Sequence, residues 1–131
     1  MLGPSFRLPH TPAPPEPMGD VLARAIAEAN GVGGAFSLPP CAFHTVLGAE
    51  THEATFWVLV THDRSPEPDH EAHLRERTRT AVQRFMLALQ FDDVDAVWVK
   101  DDDALEAAFE GTGLDADQVV PMGLVRCARL P

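Results

Sequence analysis

Apolar positions recur with helical spacing after residue 17: Val21, Leu22, Ala25, Ile26 and Ala29 share one face of MGDVLARAIAEAN, and Asn30-Gly31 supplies a left-handed stop. Ahead of this helix, six of the twelve prolines crowd into residues 1–17, which excludes regular helix and predicts an extended arm laid on a surface or a partner. GVGGAFSLPP reads as a flexible loop whose glycines permit close backbone approach. CAFHTVLG and ATFWVLVTH follow, joined by AETHE, and predict a hairpin whose second strand, apolar on both faces, is central.

HDRSPEPDHEAH predicts a polar loop leading into a long helix. There Leu74, Ala81, Val82, Phe85, Met86 and Leu89 keep roughly 3.6-residue spacing, while Arg75, Arg77, Arg79 and Arg84 point mainly outward. VDAVWVK is the next strand. The order strand, long helix, strand favours a parallel crossover, so residues 54–62 and 94–100 are expected in one mixed sheet. Asp103, with Glu106 three residues on, predicts the N-cap of the helix ALEAAFEG, which Gly111 or Gly113 stops. DQVVPMGLVRCARL is a last strand whose internal Pro121 requires an edge or a bulge. The expected organisation is an arm over 1–17 and one α+β domain over 18–131, a mixed β-sheet flanked by helices.

Composition narrows the function classes. A chain of 131 residues is one domain on length priors and can bury a core without staples. No apolar run approaches the ~18–20 residues needed to span a bilayer. The Pro-rich start has no apolar segment of the secretory-signal kind, so a cytoplasmic protein is expected, with no membrane partner. Cys41 and Cys127 lie far apart without CxxC spacing and read as two reduced, buried thiols. The net charge of −10 excludes a sequence-independent nucleic-acid binder, because phosphate binding needs a basic field. Residues 91–117 hold ten acids against one lysine and read as a solvated face, whereas residues 118–131 carry only Arg126 and Arg129.

Motifs of spacing are sparse. His70 and His73 stand at i, i+3 with His62 and Asp69 near, a pattern that reads as solvated histidines at a helix start before it reads as a metal site. DDVDAVWVKDDD lacks the glycine and the terminal glutamate of a calcium loop and runs through a predicted strand. Trp57 and Trp98 read as core aromatics.

Taken in order, these elements resemble the nitroreductase-like family, α+β flavoenzymes that usually dimerise and bind FMN at the dimer interface. GPSFRLPHTPAPPEPMGDVLARAIAEA is similar to the family's opening Arg-Arg-Ser-x-Arg arm and helix at Ser5, Arg7 and Pro14, with Gly3 and Pro4 in place of the two leading arginines. VGGAFSLPPCAFHTVLG keeps Pro40 and Phe43 of an Asn and Gln-Pro-Trp-x-Phe run, with Ser37 at the Asn position and Cys41 at the Trp. The second half is closer: Ala81, Gln83, Trp98, Gly113, Leu114 and Gly123 match, although Phe91-Asp92-Asp93 stands where the family has Gly-Leu-Gly. Between Phe43 and the Ala81-x-Gln83 helix there is no room for the further helices that wall the family's flavin and substrate pocket.

The resemblance implies an FMN-dependent oxidoreductase that moves hydride from NAD(P)H through the flavin to a small-molecule acceptor. It implies Ser5, Arg7, Ser37, Lys100 and Arg126 as cofactor-binding residues: Ser37 for the ring edge, and the cations, with Arg129, for the phosphate. No catalytic side chain is nominated, because the flavin carries the chemistry and the protein positions it. The alternative is a flavin-free descendant that keeps the fold and the dimer interface as a binding or interaction protein; Gly3, Pro4, the acidic turn and the short middle point that way. The arm and the family both suggest a homodimer, since an extended arm gains burial only by lying on something.

Overall fold

The protein is described here by a computed structural model covering residues 16–31, 39–46 and 55–130. The elements in order are helix α1 (Met18–Asn30), strands β1 (Ala42–Thr45) and β2 (Thr55–Asp63), helix α2 (Pro68–Phe91), strand β3 (Val94–Val99), helix α3 (Asp102–Thr112) and strand β4 (Val119–Arg129). The first fifteen residues, the loop 32–38 and the connection 47–54 lie outside the described residues, and with them most of the expected arm, most of the glycine loop, and AETHE.

The strands form one sheet in the order β1-β2-β4-β3, and every neighbouring pair is antiparallel. The α+β class therefore holds, but the mixed pairing does not. Strands β2 and β3 do share a sheet and a direction, as the crossover argument requires; β4 lies between them and is antiparallel to both. The last strand supplies the hydrogen bonds that a direct parallel pairing of β2 with β3 would have made.

Alternation along the strands divides the core in two. Val58 and Val60 of β2, Val94 and Ala96 of β3, and Val125 and Cys127 of β4 pack with Val21, Leu22 and Ala25 of α1 and Ala81, Val82, Phe85 and Leu89 of α2. Leu59 and Leu124 point the other way and meet Ala108 of α3, with Trp57, Val99, Leu105 and Phe109 around them. Helices thus flank both faces: α1 and α2 on one, α3 on the other. The apolar positions expected on both helices are the buried ones, except that Leu74, Ile26 and Met86 are only partly covered.

Several ends differ from expectation. α2 begins at Pro68, inside the stretch read as loop, because proline fits the first helical turn, where its missing N–H has no intrahelical partner to lose. Gly31 follows α1 in right-handed geometry, φ −72°, so the expected left-handed stop is absent. α3 is capped by Asp101, whose Oδ1 accepts from the Ala104 N–H at 3.1 Å, rather than by Asp103, which lies inside the first turn. Gly113 at φ +73° ends α3, the left-handed position for which glycine is suited. Pro121 sits at a bulge: Val60 pairs with Gly123 and Thr61 with Pro121, leaving Met122 as the extra residue.

Candidate functional site

The turn Phe91-Asp92-Asp93 closes α2 and feeds β3. Asp93 has φ +59°, the left-handed conformation that glycine adopts freely and that Asp tolerates better than most side chains. The turn therefore keeps the backbone shape of a glycine turn with a carboxylate in place. Its carbonyl accepts from the Leu130 N–H at 2.9 Å, which ties the turn to the end of β4.

Asp92 is bound rather than free. Its Oδ2 accepts from Arg24 Nη2 at 3.0 Å and Nε at 3.3 Å, and the same guanidinium makes a two-pronged bond to Glu16 at 2.7 Å for each arm. Arg129 donates to the Glu16 carbonyl. This cluster joins the residues before α1, α1 itself, the acidic turn and the end of β4. The Arg24 hydrogen bonds lower the Glu16 carboxyl below its ordinary value, while Glu16 and then Asp92 raise the Arg24 guanidinium above its own. Beside the cluster lies a hollow of about 560 Å³ lined by Arg24, Glu28, Arg84, Leu87, Ala88, Phe91 and Asp92. Phe91 is 82% exposed and Leu87 54%, so two large apolar side chains one helical turn apart face solvent.

Of the five residues expected to hold a cofactor, Ser5, Arg7 and Ser37 lie outside the described residues. Lys100 and Arg126 are both exposed but do not converge. Lys100 follows β3 and lines a hollow of about 300 Å³ with Trp98, Asp101, Asp102, Leu105, Met122 and Gly123. Arg126 stands opposite Val97, three rungs from the Lys100 end, a separation of roughly 10 Å along the strands. Carboxylates follow Lys100 directly, and Asp101 is spent on capping α3.

Among the residues of the resemblance, Trp98 and Gly123 come into direct contact. A Cβ built on Gly123 would lie 2.1 Å from Trp98 Cζ2, so the indole rests on bare backbone. Trp98 belongs to the α2-side cluster and Trp57 packs around the smaller one, in keeping with core roles.

A third site escaped the sequence reading. A hollow of about 200 Å³ is lined by residues that include Pro40, Cys41, His44, Thr61, His62 and Leu114. His62 is 1% exposed; its Nδ1 lies 2.9 Å from the Asp63 carbonyl, and its buried Nε2 has no partner. His44 Nε2 lies 3.0 Å from Thr61 Oγ1, and burial lowers the His44 pKa. Burial also pushes the Cys41 thiol up to about 11, so it stays protonated at neutral pH. The available signal was a lone histidine ending the apolar strand TFWVLVTHD, which says nothing by itself about whether both ring nitrogens are used. His70 and His73 are exposed on α2, and no group of three metal-ligating side chains occurs among the described residues. No helix among them is long and apolar enough to cross a membrane.

No family model and no curated protein matches the sequence. Among solved structures, the chain is similar to a nitroreductase-like family protein from Bacillus cereus, with a TM-score of 0.65 over 86% of this chain and 74% of that one, at 16% identity. The helices, the antiparallel four-stranded sheet and this likeness together give the chain the nitroreductase-like fold.

Proposed function

We propose that this chain is a flavin-free protein of nitroreductase-like fold that works as a homodimeric binding or interaction module. The observation that carries the reading is the separation of Lys100 from Arg126. A phosphate is held by cations and N–H donors that converge within hydrogen-bond reach, and these two stand apart with Asp101 and Asp102 beside one of them. Arg24 and Arg129 cannot substitute without giving up Glu16 and Asp92. Within one chain, then, Lys100 and Arg126 form no shared phosphate site, and Arg24 and Arg129 are already engaged.

The catalytic reading, hydride transfer from NAD(P)H through FMN to a small acceptor, is supported by the fold and by the Trp98–Gly123 contact, and it would rest on Ser5, Arg7 and Ser37. An absorbance spectrum of the purified protein followed by FMN titration at low salt separates the two. The expected result is no flavin band and no saturable binding. Flavin that copurifies, or binding that saturates and is weakened by Arg7→Ala, would overturn the flavin-free reading.

The homodimer is proposed on the exposed Leu87 and Phe91 of α2. They are ringed by Arg24, Arg84, Glu28 and Asp92, a charge-balanced rim on a molecule whose net charge of −10 would otherwise keep copies apart.

A further inference from the structure

The hollow between α1 and α2 combines an apolar lining with unused charge. Leu87, Ala88 and Phe91 supply the apolar side chains, and neither Glu28 of α1 nor Arg84 of α2 makes an ion pair with any described residue. The other charged pair on the rim, Arg24 with Asp92, is engaged, and Arg24 also holds Glu16 by both carboxylate oxygens. Arg129 holds Glu16 again, by its carbonyl. The point where the chain enters α1 is thereby fixed at the edge of the hollow. The Pro-rich arm, with Phe6 and Leu8 flanking Arg7, is rooted there.

Two side chains do not make a stable dimer. Each partner of a specific interface buries ~800 Å², and even a large aromatic contributes only ~150–250 Å². A homodimer built on Leu87 and Phe91 therefore needs more surface than they provide, and the arm is the nearest source. In its own chain's hollow the arm would cover those two residues and remove the patch on which the second copy packs; in the partner's hollow it adds to that patch. A two-fold axis through the patch brings each arm's root beside the other chain's hollow. Phe6 precedes Glu16 by ten residues, which at ~3.1 Å each span ~30 Å, about three times the ~8–10 Å between packed helices.

We propose that in the homodimer the segment Phe6-Arg7-Leu8 of each chain lies in the α1–α2 hollow of the other, with Phe6 and Leu8 against Leu87 and Phe91 and the Arg7 guanidinium at Glu28. A proline-rich segment enters an aromatic-lined groove at low entropic cost, because its backbone is already restricted. Charge agrees with this placement. Arg7 is the only Lys or Arg among residues 1–15, and Glu28 is the carboxylate of the hollow's described lining that no cation holds. The proposal rests on the homodimer reading and adds to it the segment that completes the interface.

The test uses the full chain. Light scattering at micromolar concentration first gives the mass, and a monomer overturns the homodimer reading and this proposal with it. For a dimer, isotope-labelled wild type is mixed with unlabelled Ser5→Cys carrying a nitroxide; the native Cys41 and Cys127 are buried and kept protonated, so the label goes to the new thiol. The Leu87, Ala88 and Phe91 amide signals of the labelled chain should broaden, because in the mixed dimer the nitroxide and these amides belong to different chains. A dimer without that broadening, or with broadening only when nitroxide and amides share one chain, overturns the arm exchange and leaves the homodimer reading in place. Phe6→Ser combined with Leu8→Ser should raise the dimer Kd about tenfold or more. The circular dichroism spectrum should not change, since neither residue belongs to a helix or to the sheet. An unchanged Kd overturns the exchange as well.

Discussion

At the scale of single residues, Gly123 carries the sharpest constraint. Alanine there would drive its methyl into the Trp98 ring, with the nearest ring carbon at 2.1 Å, and the ring cannot retreat without disturbing the core it covers. Gly123→Ala should destabilise the protein by about 1–3 kcal/mol, the usual range for an overfilled core. Urea denaturation gives the number, and pairing the change with Trp98→Leu should recover part of it, since the obstacle is then gone. Both residues were visible in the sequence as parts of a family pattern, but as separate letters. Their contact depends on the register that sets Trp98 against Val125, and register is a property of paired strands that no single segment encodes. Asp93 shows the opposite limit: an aspartate in an acidic run reads as surface charge, while its positive φ is decided by the turn into which it is built.

At the scale of elements, the cap of α3 separates neighbouring carboxylates that the sequence cannot rank. Asp101→Ala removes the acceptor for the Ala104 N–H and should cost about 0.5–2 kcal/mol, whereas Asp103→Ala, inside the first turn, should cost a few tenths through the helix dipole alone. Thermal melts of the two variants distinguish them. The helices and strands themselves were legible because periodicity reports which side of an element is buried. The all-antiparallel sheet was not, because the insertion of β4 between β2 and β3 is a choice among pairings of similar apolar strands.

The Arg24 cluster links elements through charge, and its pH dependence follows from Glu16. The folded-state pKa of Glu16 is depressed, so its contribution to stability is present above the ordinary glutamate value of 4.5 and is lost as pH falls through the lower folded value. The gap in melting temperature between wild type and Arg24→Leu should therefore be largest near neutral pH, shrink below pH 4.5, and shrink also in high salt because the groups are exposed. A gap unchanged by acid and salt would mean that Arg24 acts through packing of its stem instead.

At the scale of the whole molecule, the proposed dimer is tested by mass, without reference to flavin. Light scattering at micromolar concentration should give twice the chain mass of 14.2 kDa, and Phe91→Glu should shift it toward the monomer without unfolding the protein, since that side chain is 82% exposed. A monomer in the wild type would refute the assembly while leaving the fold untouched.

Strand β4 is the last of these elements to leave the ribosome, yet it occupies an inner position in the sheet. Until it is synthesised, β2 and β3 each present a bare hydrogen-bonding edge, and the α3-side core lacks Leu124. A nascent chain stopped short of Val119 would hold a helical pair and one hairpin but no closed sheet. Folding is thereby coupled to the synthesis of β4, and the aggregation risk of the open edges falls in the interval before it arrives. The pairing of Thr55 with Ala128 spans more than half of the chain, a non-local contact whose loop must close before the sheet is complete.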